Sequence, residues 1–142
     1  MKKICIINGP NLNLLGKREK EIYGDKSFEE VFNQLQEFAH NKSIDLSYFQ
    51  SNDEGEIINK IHECMSNMDY IVINPGAFTH YSYSIFDAIL AVKVPTIEVH
   101  ISNIFSREEW RKKSVISPAC VGIISGLGID VYRLALIHIS EK

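Results

Sequence analysis

Glu98 and His100 stand two residues apart in Thr96-Ile97-Glu98-Val99-His100, a stretch that reads as a β-strand, so both side chains project to one face. A carboxylate beside an imidazole can orient the ring and stabilise its charged form, which is the arrangement that general acid chemistry needs. Taken alone, the same pair is equally a salt bridge at a strand edge. Convergence favours the chemical reading. Asn8, Asn11 and Asn13 follow one apolar block, Asn74-Pro75-Gly76 and Thr79-His80 follow another, and Ser102-Asn103 follow the Glu98–His100 block itself. Tyr23 is a further candidate. A phenol with its pKa near 10 is a poor base at neutral pH, and lowering it by about three units takes about 4 kcal/mol of differential stabilisation of the phenolate. Guanidinium groups supply that, and Arg18 with Arg107 or Arg111 are the candidates if the chain folds them onto one pocket. Without such neighbours Tyr23, beside Gly24, is a packing residue.

Other site chemistries fail on the letters. No G-x-G-x-x-G or G-x-x-x-x-G-K-[ST] follows the first apolar block, and Gly126-Leu127-Gly128 runs on to Val131 where a third glycine would be required. A metal site from Glu98, His100 and His80 lacks the H-E-x-x-H or cysteine-rich spacing that would support it. No cofactor and no metal are expected. His40, His62 and His138 lie on helical stretches and read as capping, surface or partly buried groups.

The elements that must position these residues follow from periodicity. Apolar blocks of about five residues alternate with stretches of helical period, the pattern of βαβ units around a parallel sheet. The strands are predicted at Lys3–Asn8, Asp45–Gln50, Tyr70–Asn74, Thr96–His100 and Ala119–Ser125. Ser27-Phe28-Glu29-Glu30 opens the first helix as a capping box, with Phe28, Val31, Phe32, Leu35 and Phe38 on one stripe. A second helix starts near Asp53 and is expected to bury Ile57, Ile58, Ile61 and Met65, and a third runs from about Tyr81 to Val92. A short helix over Arg107–Lys113 and a last one over Asp130–Ile139 complete the set. The expected architecture is an α/β three-layer sandwich of flavodoxin-like type with a five-stranded parallel sheet, binding ligands beyond the carboxyl ends of its strands. The only long irregular segment, 9–26, is expected to be a lid over the site.

Composition sets the outer limits. With 142 residues the chain is expected to form a single domain over 1–142. Its 15 Lys+Arg against 18 Asp+Glu give a net charge of -3, which argues against nucleic acid as a partner. The amino-terminal apolar stretch stops at Asn8-Gly9-Pro10, short of a signal peptide, and no run approaches the roughly 18 apolar residues of a membrane span. Cys5, Cys64 and Cys120 are odd in number and widely spaced, as in proteins with reduced thiols, so the expected location is cytoplasmic.

Beyond these inferences, Ile7-Asn8-Gly9-Pro10-Asn11-Leu12-Asn13-Leu14-Leu15-Gly16, then Arg18-Glu19 and Tyr23-Gly24, resemble the opening of the type II 3-dehydroquinate dehydratases. Further blocks resemble that family in the same order: Asn74 to His80, Asp87-Ala88, Glu98 to Asn103, Arg107 to Arg111 and Ser114 to Ala119. Essentially the whole chain is covered. The resemblance implies a cofactor-free trans (anti) dehydration of 3-dehydroquinate to 3-dehydroshikimate through an enolate, the third step of the shikimate route. It implies Tyr23 as the base held as phenolate by Arg18 and Arg107, Asn11 as the group that positions a water near the enolate oxygen, and His100, oriented by Glu98, as the acid. It assigns Asn74 and the backbone amides of Ile101 and Ser102 to the substrate carboxylate, and His80 and Arg111 to ring hydroxyls. Asp87 would reach the pocket across a subunit contact in a homododecamer of four trimers. Lys17, Lys20, Tyr81 and Trp110 depart from the common pattern without removing any of these groups. A non-enzymatic flavodoxin-like metabolite-binding module is the alternative, and it gives Arg18, Tyr23, Asn74, Glu98 and His100 no common purpose.

Overall fold

A computed structural model describes residues 1–142. Five strands, β1 (Lys2–Asn8), β2 (Ile44–Gln50), β3 (Tyr70–Asn74), β4 (Thr96–His100) and β5 (Gly122–Ser125), pair in parallel in the order β2-β1-β3-β4-β5. Alternation along β1 explains the three layers. Ile4 and Ile6 pack with α2 (Phe28–Asn41) and α5 (Asp130–Ser140), while Cys5 and Ile7 pack with α3 (Glu54–Asn67) and α4 (Tyr83–Val92). A strand buried on both faces must be apolar at every position, and β1 from Ile4 to Ile7 is.

Helices α2, α3 and α4 begin where side-chain caps satisfy their free N–H groups. The Ser27 hydroxyl accepts from Glu30 N–H (3.2 Å), the Asp53 carboxylate from Glu56 N–H (3.2 Å) and the Ser82 hydroxyl from Ile85 N–H (3.1 Å). The Ser82 cap makes the third long helix begin at Tyr83 rather than Tyr81. Three further expectations are corrected. Met65 is 61% exposed, because the buried stripe of α3 runs through Ile57, Ile61 and Cys64 and leaves Met65 on its flank. The fifth strand starts at Gly122, since Ser117-Pro118-Ala119 forms a 3-10 turn and Pro118 has no N–H to give a ladder. The Arg107–Lys113 segment is also a 3-10 turn, over Glu109–Lys112, and segment 9–26 holds a turn at Leu12–Leu14 and a short helix, α1 (Lys20–Tyr23).

Connections leave the sheet in opposite directions from β1 and β3, so a crevice opens beyond their carboxyl ends, where Asn8 pairs with Asn74. The two loops that leave these ends touch. Gly9 N–H donates to Asn74 O (2.7 Å), and a Cβ on Gly9 would stand 2.4 Å from Pro75 O, so only glycine allows this approach. Pairing of the loops fixes the floor on which the candidate residues converge.

Candidate active site

Beyond the ends of β1, β3 and β4, one pocket brings together ten of the twelve residues singled out from the sequence: Asn11, Arg18 and Tyr23, then Asn74 and His80, then His100, Ile101, Ser102, Arg107 and Arg111. Glu98 stands behind His100, fully buried. Asp87 lies on an exposed face of α4 with Tyr83 and Leu90 and does not line this pocket.

Segment 9–26 contributes the phenol. Asn11 adopts a left-handed backbone (φ 70°), which asparagine tolerates, and its N–H donates to Asn52 Oδ1 (3.0 Å). Tyr23, at the end of α1, accepts a hydrogen bond at its phenolic oxygen from Arg107 Nη1 (2.7 Å), which also donates to Ser102 Oγ (3.1 Å). The Arg18 and Arg107 guanidinium carbons lie 4.8 and 5.5 Å from the ring centroid. One guanidinium thus donates to the phenolic oxygen while a second lies over the ring. Glu19 ties the arginines together, 2.6 Å from Arg18 Nη2 and 3.8 Å from Arg107 Nη2. Its hydrogen bond from Arg18 holds the Glu19 carboxyl below its usual range.

Beyond β4, Gly126 N–H donates to His100 O (3.1 Å), Gly128 N–H to Ile101 O (3.0 Å) and Ser125 Oγ to Ser102 O (3.1 Å). With these carbonyls turned toward the end of β5, trans peptide geometry directs the N–H groups of Ile101 and Ser102 the opposite way. Backbone donors and three guanidinium groups, with no carboxylate among the lining side chains, make the pocket suited to an anion although the chain as a whole is acidic.

The two histidines are held in different ways. His80 Nδ1 lies 2.8 Å from Lys113 O, so it carries the proton and leaves Nε2 as an acceptor, and burial pushes the pKa of the ring down. Trp110 packs edge-on against His80 with centroids 5.2 Å apart, and Arg111 stacks on Trp110 at 4.1 Å. His100 directs Nε2 at Glu98 Oε2 (2.5 Å), leaving Nδ1 as the ring nitrogen without a protein partner. Burial alone would raise the Glu98 carboxyl. The hydrogen bond and charge of His100, then the Ser117 and Thr79 hydroxyls, outweigh it and bring that carboxyl below its usual range. No group of three or more His, Cys, Asp or Glu side chains is placed to hold a metal ion.

Sequence reasoning gave no role to the residues that support this lining, although Asn8 and Thr79 stood among its convergent polar positions. Thr79, Ser114 and Ser117 all donate to Glu98. Tyr132, fully buried on α5, donates to Asn8 Oδ1 (2.8 Å) and accepts from Asn74 Nδ2 (2.9 Å), while Asn74 Oδ1 accepts from Gly76 N–H (3.2 Å). Burial pushes the Tyr132 phenol up, which keeps it a neutral donor. The signal available in the sequence was a polar phenol inside an apolar helix face, Val131-Tyr132 with Ala135 and Leu136, where a buried hydroxyl requires a partner.

Comparison with known proteins identifies one family across the chain. The family model described as dehydroquinase class II matches residues 2–140. A 3-dehydroquinate dehydratase of Caldicellulosiruptor saccharolyticus is 58% identical over 142 residues, covering 99% of this chain and 98% of the relative. The crystal structure of a type II dehydroquinase from Butyrivibrio crossotus superposes with a TM-score of 0.95 at 50% identity, over 99% of this chain and 98% of that one. A type II dehydroquinase from Propionibacterium acnes gives a TM-score of 0.97 at 39% identity, over 100% of this chain and 98% of that one.

Proposed function

The chain belongs to the class II dehydroquinase family and acts as a hydro-lyase on 3-dehydroquinate in the shikimate pathway, and from that premise we propose how its residues divide the reaction. Tyr23, as phenolate, takes a proton from the carbon beside the ketone, and the electron pair moves onto the ketone oxygen to give an enolate. Asn11 positions a water at that oxygen, a fixed dipole where charge develops. His100, protonated and held by Glu98, then gives a proton to the leaving hydroxyl as the enolate collapses to the conjugated enone of 3-dehydroshikimate and water departs. Arg18 and Arg107 stabilise the phenolate. The substrate carboxylate rests on Asn74 and the Ile101 and Ser102 amides, and His80 and Arg111 take ring hydroxyls. The observation that carries this reading is the 2.7 Å hydrogen bond from Arg107 to the Tyr23 oxygen, made in the same pocket that His100 lines.

Elimination by two separate groups accounts for an anti course. With 3-dehydroquinate deuterated stereospecifically beside the ketone, the label trans to the leaving hydroxyl is expected to be lost from the product; its retention, with loss of the cis label, would contradict the assignment. Segment 9–26 acts as the lid of a single domain spanning 1–142. We further propose assembly as a dodecamer of four trimers, in which Asp87 of one copy completes the pocket of another; its exposure on α4 beside Tyr83 and Leu90 supports this. Light scattering should give the mass of twelve chains, and a monomeric mass for active enzyme would rule it out. No helix is long and apolar enough to cross a membrane. Free Cys5, Cys64 and Cys120 support action in the cytoplasm, which cell fractionation tests.

A further inference from the structure

We propose that Ser117 is a positioning residue of this reaction: its hydroxyl fixes the Glu98 carboxylate in the plane that holds His100. The proposal rests on the reading of His100 as proton donor. Glu98 is fully buried on β4, and its two oxygens are held differently. Oε2 faces His100 Nε2 (2.5 Å) and accepts from Thr79 Oγ1 (2.8 Å) and Ser114 Oγ (3.0 Å). Oε1 accepts from Ser117 Oγ (2.5 Å), with Ser114 Oγ farther away at 3.1 Å.

Two of these hydroxyls have other duties. Ser114 Oγ also accepts from the N–H groups of Ile116 (3.2 Å) and Ser117 (3.0 Å), which closes the turn, and Thr79 Oγ1 lies 3.3 Å from His100 Nε2. The Ser117 hydroxyl makes the Glu98 bond alone. It is therefore the one donor whose removal disturbs neither the turn nor a contact to the His100 ring. Loss of it leaves Oε1 with only the longer Ser114 contact, and the terminal torsion of a glutamate is soft enough for the carboxylate to rotate away from the imidazole plane. Burial then favours the neutral acid, which cannot hold the imidazolium. The other titratable groups facing the pair are His80, Arg111, Tyr23, Arg18 and Arg107 across the pocket and Cys120 beyond Ser117, whose thiol burial and the Glu98 charge push up to about 12. Replacing Ser117 removes none of them.

The test compares the parent enzyme with Ser117→Ala and Ser117→Thr, measuring kcat and KM for 3-dehydroquinate across pH. Ser117→Ala is expected to lower kcat about three- to tenfold, as for one of several hydrogen bonds to a charged group, with KM within about twofold. The acid-side fall of kcat moves to higher pH by up to about one unit, and Ser117→Thr restores both quantities. An unchanged kcat, a loss of kcat with the acid limb unmoved, or a loss that threonine fails to restore would each overturn the proposal, because a packing defect alone gives those results. His100→Ala separates the underlying reading. Full turnover in that variant would remove the His100 assignment itself. With turnover lost there, adding Ser117→Ala is expected to lower kcat no further, and a further loss would count against the proposal.

Discussion

Replacing Tyr23 by phenylalanine should lower kcat by about a thousandfold while leaving KM within a few-fold, since loss of a positioned general base removes two to four orders of magnitude. The phenylalanine ring keeps its contacts with the Arg18 and Arg107 guanidinium groups, so the lid retains its seat. Only the oxygen that accepts from Arg107 Nη1 is lost, and Arg107 retains Ser102 Oγ as a partner. Binding of the substrate carboxylate, assigned to groups on other elements, should persist and is measurable by calorimetry. Near-normal turnover in Tyr23→Phe would remove Tyr23 from the role of base.

In His100→Ala a fall in kcat of about a hundred- to a thousandfold is expected, because departure of hydroxide without a proton donor is slow at neutral pH. A second consequence concerns stability. The Glu98 carboxyl lies below its usual range in the folded chain, so the stability it confers is complete above the unfolded carboxyl value and is lost as pH falls through the folded one. His100 supplies the largest of the contributions that lower it. Without the imidazole, acid unfolding followed by circular dichroism should begin at a higher pH. Unaltered acid unfolding together with full turnover would show that the pair is structural in neither sense and idle in catalysis.

Much of the framework was legible because short-range rules govern it. Burial on both faces makes β1 apolar from Ile4 to Ile7, and the spacing of Glu98 and His100 placed them on one face without knowledge of the fold. Helix starts were legible at Ser27 and Asp53, where the cap is encoded within four residues. What depended on distant pairing was not. Tyr23 meets Arg107 across 84 positions, and its residue type alone fits packing as well as chemistry. The hydroxyls on Glu98 arrive from 16 to 19 residues away through turns that no periodicity marks. Met65 was misjudged because it flanks the apolar stripe of α3, and the start of the fifth strand because an apolar run hid the consequence of Pro118. Asp87 is exposed and does not line the pocket of its own chain, so no reading of one chain gives it a partner there.

The most direct test of the account is the ultraviolet absorbance of chelator-treated protein mixed with 3-dehydroquinate, following the conjugated enone of the product, with and without prior borohydride treatment in the presence of 3-dehydroquinate. A rise of equal rate under all conditions is the expected result, since neither a metal nor a lysine imine takes part in the Tyr23 and His100 route. No rise from folded, assembled protein would contradict the dehydratase account. Loss of the rise after chelation or after borohydride would instead assign the chemistry to a metal or to a Schiff base.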